Sequence, residues 1–267
     1  MKRFFLTTAT IILLGISLSA CVSSKHHFFP EGVVKVRDDG SFNIPNPADK
    51  IVILYTPGSN HNNRAQPCYK AASTPSVLLN LNGKKIAGKE IIIDGYCSKA
   101  VGNLGAGISM SEARAPELEG IISTYIKQGV PANQVFVAGQ SMGGWAAVLV
   151  EARKKVEIGG IIAFAPANGI SRDGRRYASH MAAIRRQEEA VSGLDDFDGL
   201  VFLFEGDPYN SPQDLIYMKD LPGISYLAVA PCSKKFPHMM HRESCFEQLH
   251  KKTIVKFIEK KLNKITL

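Results

Sequence analysis

Seven short runs rich in β-branched and aromatic residues punctuate this chain, and several are apolar without a break. They are GVVKV (32–36), KIVILY (50–55), KEIIID (89–94), QVFVAG (134–139), GGIIAFA (159–165), GLVFLF (199–204) and ISYLAVA (224–230). A strand with one wet face alternates apolar and polar residues, whereas a strand covered on both faces does not. Longer amphipathic stretches lie between the runs, at 111–129, 144–155, 175–191 and from 245 onward. Alternating strands and helices predict an α/β fold, a mostly parallel sheet with helices on both faces. No composition shift divides 32–267, so one domain is expected there, and 267 residues suffice for one sizeable core. The connection 165–199 is the longest late one, so little or no cap is expected, and any small cap would come from it.

The final helix has a start signal. Ser244-Cys245-Phe246-Glu247 fits the S-x-x-E capping box, in which both side chains serve the first free backbone N–H groups. Phe246, Leu249, Ile254, Phe257, Ile258 and Leu262 then predict one apolar stripe. The formal charge is +8, and lysines at 251, 252, 256, 260, 261 and 264 crowd this end. Their spacing is that of a solvated helix face, and no nucleic-acid motif accompanies the charge.

The N-terminus carries a targeting pattern. MKR is a short basic segment, and FFLTTATIILLGIS is an apolar run too short and weakly flanked for a membrane span. It ends in Leu18-Ser19-Ala20-Cys21, which resembles the bacterial lipobox. The resemblance implies a signal peptide at 1–20, lipidation of Cys21, and a tether over 21–31. It also implies a body held in aqueous space at the cell envelope. Val22 in place of Asp implies outer-membrane sorting; a plain secreted protein is the alternative. Lipidation of Cys21 leaves Cys68, Cys97, Cys232 and Cys245 of the five cysteines. An exported chain permits disulfides, and proximity favours Cys68–Cys97 and Cys232–Cys245 over free thiols.

The stretch VFVAGQSMGGW contains Gly139-Gln140-Ser141-Met142-Gly143, a G-x-S-x-G match. It follows an apolar strand and opens an Ala-rich helix, the setting a nucleophile elbow requires. Here the chain resembles the α/β-hydrolase family, in particular its dienelactone-hydrolase- and esterase-like serine hydrolases. The likeness runs over about 32–263 by element order. It implies a nucleophile at Ser141, then an acid after a later strand, then a histidine before the last helix. Asp207, followed by Pro208 after GLVFLF, fits the acid, with Glu205 and Asp214 as alternates.

Of seven histidines, His238, His241 and His250 follow Asp207. His250 falls inside the final helix and reads as structural. His238 and His241 share the loop PCSKKFPHMMHRES, where the family's base sits. His241, nearer the helix start, is expected to be the base, with His238 as the alternate. A Cys232–Cys245 disulfide would close that loop and preorganise the imidazole. The resemblance further implies oxyanion donors at the Met142 N–H and in TPGSNHNN, at Ser59 or Asn60, after a sharp turn at Gly58. His61 would line the pocket, and Trp145 would pack beneath the elbow.

No metal or cofactor is expected: His61 has no visible co-ligands, and GNLGAG (102–107) lacks dinucleotide-loop spacing. The reading that follows is an envelope-anchored hydrolase of small-molecule, lipid or polymer esters, acting through an acyl-enzyme. An amidase or peptidase with the same triad, or a non-catalytic envelope binding lipoprotein on a hydrolase scaffold, are the alternatives.

Overall fold

A computed structural model of the chain describes residues 27–28, 35–36, 42–58, 74–98, 107–173 and 176–263. The strands are β1 (His27–Phe28), β2 (Lys35–Val36), β3 (Phe42–Asn43), β4 (Lys50–Thr56), β5 (Lys85–Ile86) and β6 (Lys89–Tyr96). They continue with β7 (Val135–Gln140), β8 (Gly160–Phe164), β9 (Gly199–Phe204) and β10 (Ser225–Val229). The helices are α1 (Ser76–Leu79), α2 (Gly107–Lys127), α3 (Met142–Arg153), α4 (Tyr177–Val191) and α5 (Ser244–Asn263).

One eight-stranded sheet runs in the order β1-β6-β4-β7-β8-β9-β10, with β5 paired beside β6. From β6 to β10 every neighbouring pair is parallel, while β1 and β5 run antiparallel to β6. Successive residues face opposite sides, so each strand feeds two cores. Val52, Leu54, Val137, Ala163 and Leu203 pack with α2, α3 and α4. Ile53, Phe136, Ile162, Phe164 and Phe202 pack with α1 and α5. Burial on both sides is why these strands read as unbroken apolar runs.

Six of the seven expected strands form the sheet within two residues of their expected bounds. The first does not join it. Lys35–Val36 instead pairs with Phe42–Asn43 in a separate two-stranded antiparallel ribbon. The edge beyond β6 is taken by His27–Phe28, inside the stretch expected as tether. The 165–199 connection holds α4, which buries Ile184 and Val191 in the core as a crossover helix rather than a cap.

The end of the chain also differs in detail. Helix α5 starts at Ser244 itself, so Glu243 holds the capping position and its carbonyl accepts the Glu247 N–H (3.3 Å). The Ser244–Glu247 box is therefore not made. The Glu247 carboxylate instead accepts two bonds from the Asn80 side-chain amide (2.7 and 2.8 Å), tying α5 to the end of α1. Leu249, expected in the stripe, is 62% exposed, and Lys261, expected on the wet face, is buried in an ion pair with Asp198. Among the described residues no helix is long and apolar enough to cross a membrane.

Candidate active site

Ser141 stands between the last residue of β7 and the first of α3, with φ 54° and ψ −123°. L-residues avoid that conformation, which persists only where the surroundings over-determine it. Here the Ser141 N–H donates to Phe164 O (3.0 Å), and its carbonyl accepts from Trp145 N–H (2.9 Å) and Ala167 N–H (3.0 Å). The glycines are explained by backbone crossings. A Cβ on Gly139 would lie 2.3 Å from the Gly143 carbonyl oxygen, and one on Gly143 would lie 2.2 Å from that of Thr56. The elbow is thus wedged between β7, α3 and the exit of β4. After β4 the chain goes to β6 on one side, whereas β7 leads to β8 on the other. Such a reversal opens a crevice at the carboxyl ends of the strands, where ligands bind in open α/β sheets.

Asp207 enters on the loop after β9. It is buried, its N–H donates to Phe204 O (3.1 Å), and its Oδ1 accepts from Tyr209 N–H (2.8 Å). Its Oδ2 lies 2.7 Å from Nδ1 of His238. A carboxylate facing Nδ1 fixes the proton there and leaves Nε2 as an acceptor. That nitrogen is 3.1 Å from the Gln140 amide nitrogen, so the Gln140 N–H donates to it. Tyr209 covers the imidazole, with ring centres 4.5 Å apart. Among the described residues the Ser141 hydroxyl has no hydrogen-bond partner; the structure joins Asp207 to His238, the alternate base, on the sheet edge where Ser141 stands.

No family model and no curated relative matches this chain. Solved structures do resemble it. A phospholipase/carboxylesterase from Dyadobacter fermentans aligns over 87% of this chain and 97% of its own, at 14% identity and TM-score 0.51. A monoacylglycerol lipase from Paleococcus ferrophilus aligns over 79% and 94%, at 11% identity and TM-score 0.56. The esterase Est22 with p-nitrophenol aligns over 88% and 82%, at 15% identity and TM-score 0.56. The fold is that of the α/β-hydrolases. At such low identity the likeness reaches the fold and stops short of the reaction.

Within this α/β-hydrolase fold, Asp207 engages His238 and not His241, which corrects the expected pairing. The cause is the short 3-10 turn Pro237–Arg242, which no periodicity announced. It directs His238 toward Asp207 and packs His241 into the sheet. The His241 ring stacks on Phe164 (5.7 Å) and Phe204 (6.4 Å), and among the described residues neither of its nitrogens has a hydrogen-bond partner. Burial, with Arg242 and His238 nearby, holds its imidazole well below the usual histidine range. His250 packs on Phe246 and Phe202 as a structural side chain, and partial burial lowers it too. Asp214, an alternate acid, is engaged elsewhere. Burial pushes its carboxyl up, but bonds from Ser211 and the Arg172 guanidinium outweigh this and hold it below the usual range. Glu205 is exposed.

The elbow has support that the sequence did not reveal. Buried Arg114 on α2 donates to the carbonyls of Pro57 (2.7 Å) and Gly58 (3.2 Å), fixing the exit of β4. Burial lowers this guanidinium to about 10, with Glu117 and Tyr96 opposing, so it is charged at neutral pH. Ser111, one turn earlier, donates to Met142 O (3.0 Å). A Cβ on Gly58 would stand 2.5 Å from Gln140 Oε1 and 2.9 Å from the Ser141 Cβ, so this glycine lets the loop lie against the elbow. Ser59, Asn60 and His61 lie outside the described residues, as do Cys21, Cys68 and 99–106.

Cys232 and Cys245 form a disulfide that brackets the turn bearing His238. Cys97 is also disulfide-bonded, and its expected partner Cys68 is not described. Trp145 is buried in the core behind the elbow. Among the described residues no group of three or more His, Cys, Asp or Glu side chains could hold a metal.

Proposed function

We propose that this chain is a serine hydrolase of carboxylic esters, held at the bacterial envelope by a lipid on Cys21. The observation that carries the reading is the His238–Asp207 pair at 2.7 Å beside a serine in elbow geometry. Ser141 is the nucleophile. A serine hydroxyl is weak at neutral pH, so His238 Nε2 takes its proton as Oγ attacks the ester carbon. The oxyanion formed gathers the Met142 N–H at the start of α3 and a second N–H from the loop after Gly58, where Ser59 is the candidate. His238 then returns the proton to the departing alkoxide. Water repeats the cycle on the acyl-enzyme and frees the acid. Asp207 orients the imidazole and balances its charge. Esterases and lipases among similar folds support an ester substrate.

The test is fluorophosphonate labelling of the mature protein beside Ser141→Ala, followed by a chain-length series of p-nitrophenyl esters and peptide anilides. Labelling only of the unaltered protein, with ester turnover exceeding anilide turnover, is expected. Labelling that persists in Ser141→Ala overturns the nucleophile, and absence from both overturns the hydrolase.

A further inference from the structure

The register of β1 fixes where the chain enters the fold. His27 pairs with Tyr96 and Phe28 with Gly95, antiparallel. Tyr96 is the last residue of β6, and β6 runs parallel to β4 and β7. The carboxyl end of β6 is therefore the same sheet edge as Thr56 and Gln140, where the Ser141 crevice opens. Since β1 runs the opposite way, the backbone preceding His27 leaves from that edge. Three strand spacings separate β1 from β7, about 14 Å at the usual interstrand distance. Six residue steps separate Cys21 from His27, a reach of at most about 20 Å.

A second observation lies on the same edge. The turn carrying His238 follows β10, and just before it stand exposed Lys234, Lys235 and Phe236. Phe236 is 49% exposed, with its ring 6.2 Å from that of His238 and 6.4 Å from that of Tyr209. Lys235 pairs with Glu243 (3.0 Å) but keeps most of its surface in water. An exposed aromatic flanked by cations is the surface chemistry that settles at the headgroup level of an anionic bilayer.

We infer that the crevice edge of the sheet faces the lipid surface, with Phe236 at the headgroups, so that the ester is taken from the bilayer rather than from bulk water. The inference rests on the lipid anchor and ester hydrolysis proposed above. A short tether rooted far from the crevice would let the body turn its site away. One rooted on the crevice edge holds the site toward the membrane, and Lys234 and Phe236 complete the contact.

The experiment uses the lipidated protein in phosphatidylcholine vesicles, with and without phosphatidylglycerol. The indole introduced by Phe236→Trp reports depth through quenching by brominated lipid, since Trp145 is buried and contributes little. Quenching is expected, and more of it with phosphatidylglycerol present. A Gly/Ser spacer of about twenty residues between Cys21 and His27 releases the body from the surface. It should lower hydrolysis of a vesicle-embedded long-chain ester about tenfold by diluting site against substrate, and leave a water-soluble short ester unchanged. An unquenched indole, a spacer without effect on the embedded ester, or a mature chain lacking acyl groups on Cys21 each overturns the inference. Absence of any ester turnover removes the hydrolase reading alone, because quenching still reports the orientation.

Discussion

Acidification tests the placement of His241 against that of His238. His241 is buried between Phe164 and Phe204 with neither nitrogen paired among the described residues, and burial holds its proton affinity low. In the unfolded chain the same imidazole titrates near 6.5. As pH falls below that value the unfolded state takes up a proton that the folded state refuses. Stability is therefore whole above pH 6.5 and is lost below it, approaching about 1.4 kcal/mol per pH unit. The loss from this group grows steadily as the pH is lowered from 6.5 toward 5. His250 adds a smaller loss of the same sign. Asp214, whose carboxyl is held below its ordinary value of 3.8, loses its contribution only at still lower pH, outside this window.

His241→Leu removes the titration and two unpaired buried nitrogens at similar volume. Urea unfolding at pH 7.5 and pH 5 should show the pH-dependent loss shrinking in the variant to what His250 leaves. Stability at pH 7.5 should stay level or rise, because an unpaired buried polar group costs about 1–3 kcal/mol. Ester turnover should persist in His241→Leu and vanish in His238→Leu. The reasoning is refuted if His241→Leu retains the full acid sensitivity, or if it abolishes turnover while His238→Leu spares it.

Arg114→Met leaves the Pro57 and Gly58 carbonyls without their donor and frees the exit of β4; kcat should fall about tenfold to a hundredfold with KM little changed. An unchanged kcat would free the loop from its dependence on that guanidinium. Gly143→Ala drives a Cβ to 2.2 Å from the Thr56 carbonyl, which cannot rotate away; urea unfolding should report a loss of roughly 3 kcal/mol. Gln140→Met removes the N–H that occupies Nε2 of His238, the lone pair needed by the serine proton. Fluorophosphonate labelling should quicken about two- to tenfold, the value of one net hydrogen bond, whereas slower labelling would make Gln140 an aid to the base.

Local chemistry made much of this fold readable. The central strands announced themselves by apolar runs because two cores cover them, and the elbow by glycines that no side chain can replace. Asp207 was readable because strand, glycine and Asp-Pro follow one another within a few residues. The base was not. His238 and His241 lie three residues apart, and distance from the helix start was a poor guide because a separate turn intervenes. The Phe236-Pro237 pair that opens this turn was the available signal, since Pro presets such a start. Arg114 and Ser111 escaped notice because their partners are backbone carbonyls distant in sequence, which carry no identity in the sequence. Val36 left the sheet and Leu249 its stripe for similar reasons: whether a short apolar patch is covered depends on neighbours it does not specify.

The two cores have a consequence for how the molecule fails. Ser141 caps α3, which packs on one face of the sheet, while the turn bearing His238 is seated through Met240 on the other, beside Phe246 of α5. Ser141 and His238 thus sit on two layers that can loosen separately. Partial opening of the α5 layer would part His238 from Ser141 while most helices and strands remain. Heated slowly, the protein should fall silent before it melts: turnover should fade at a lower temperature than the far-ultraviolet circular dichroism signal, and coincident curves would show that the two layers yield together.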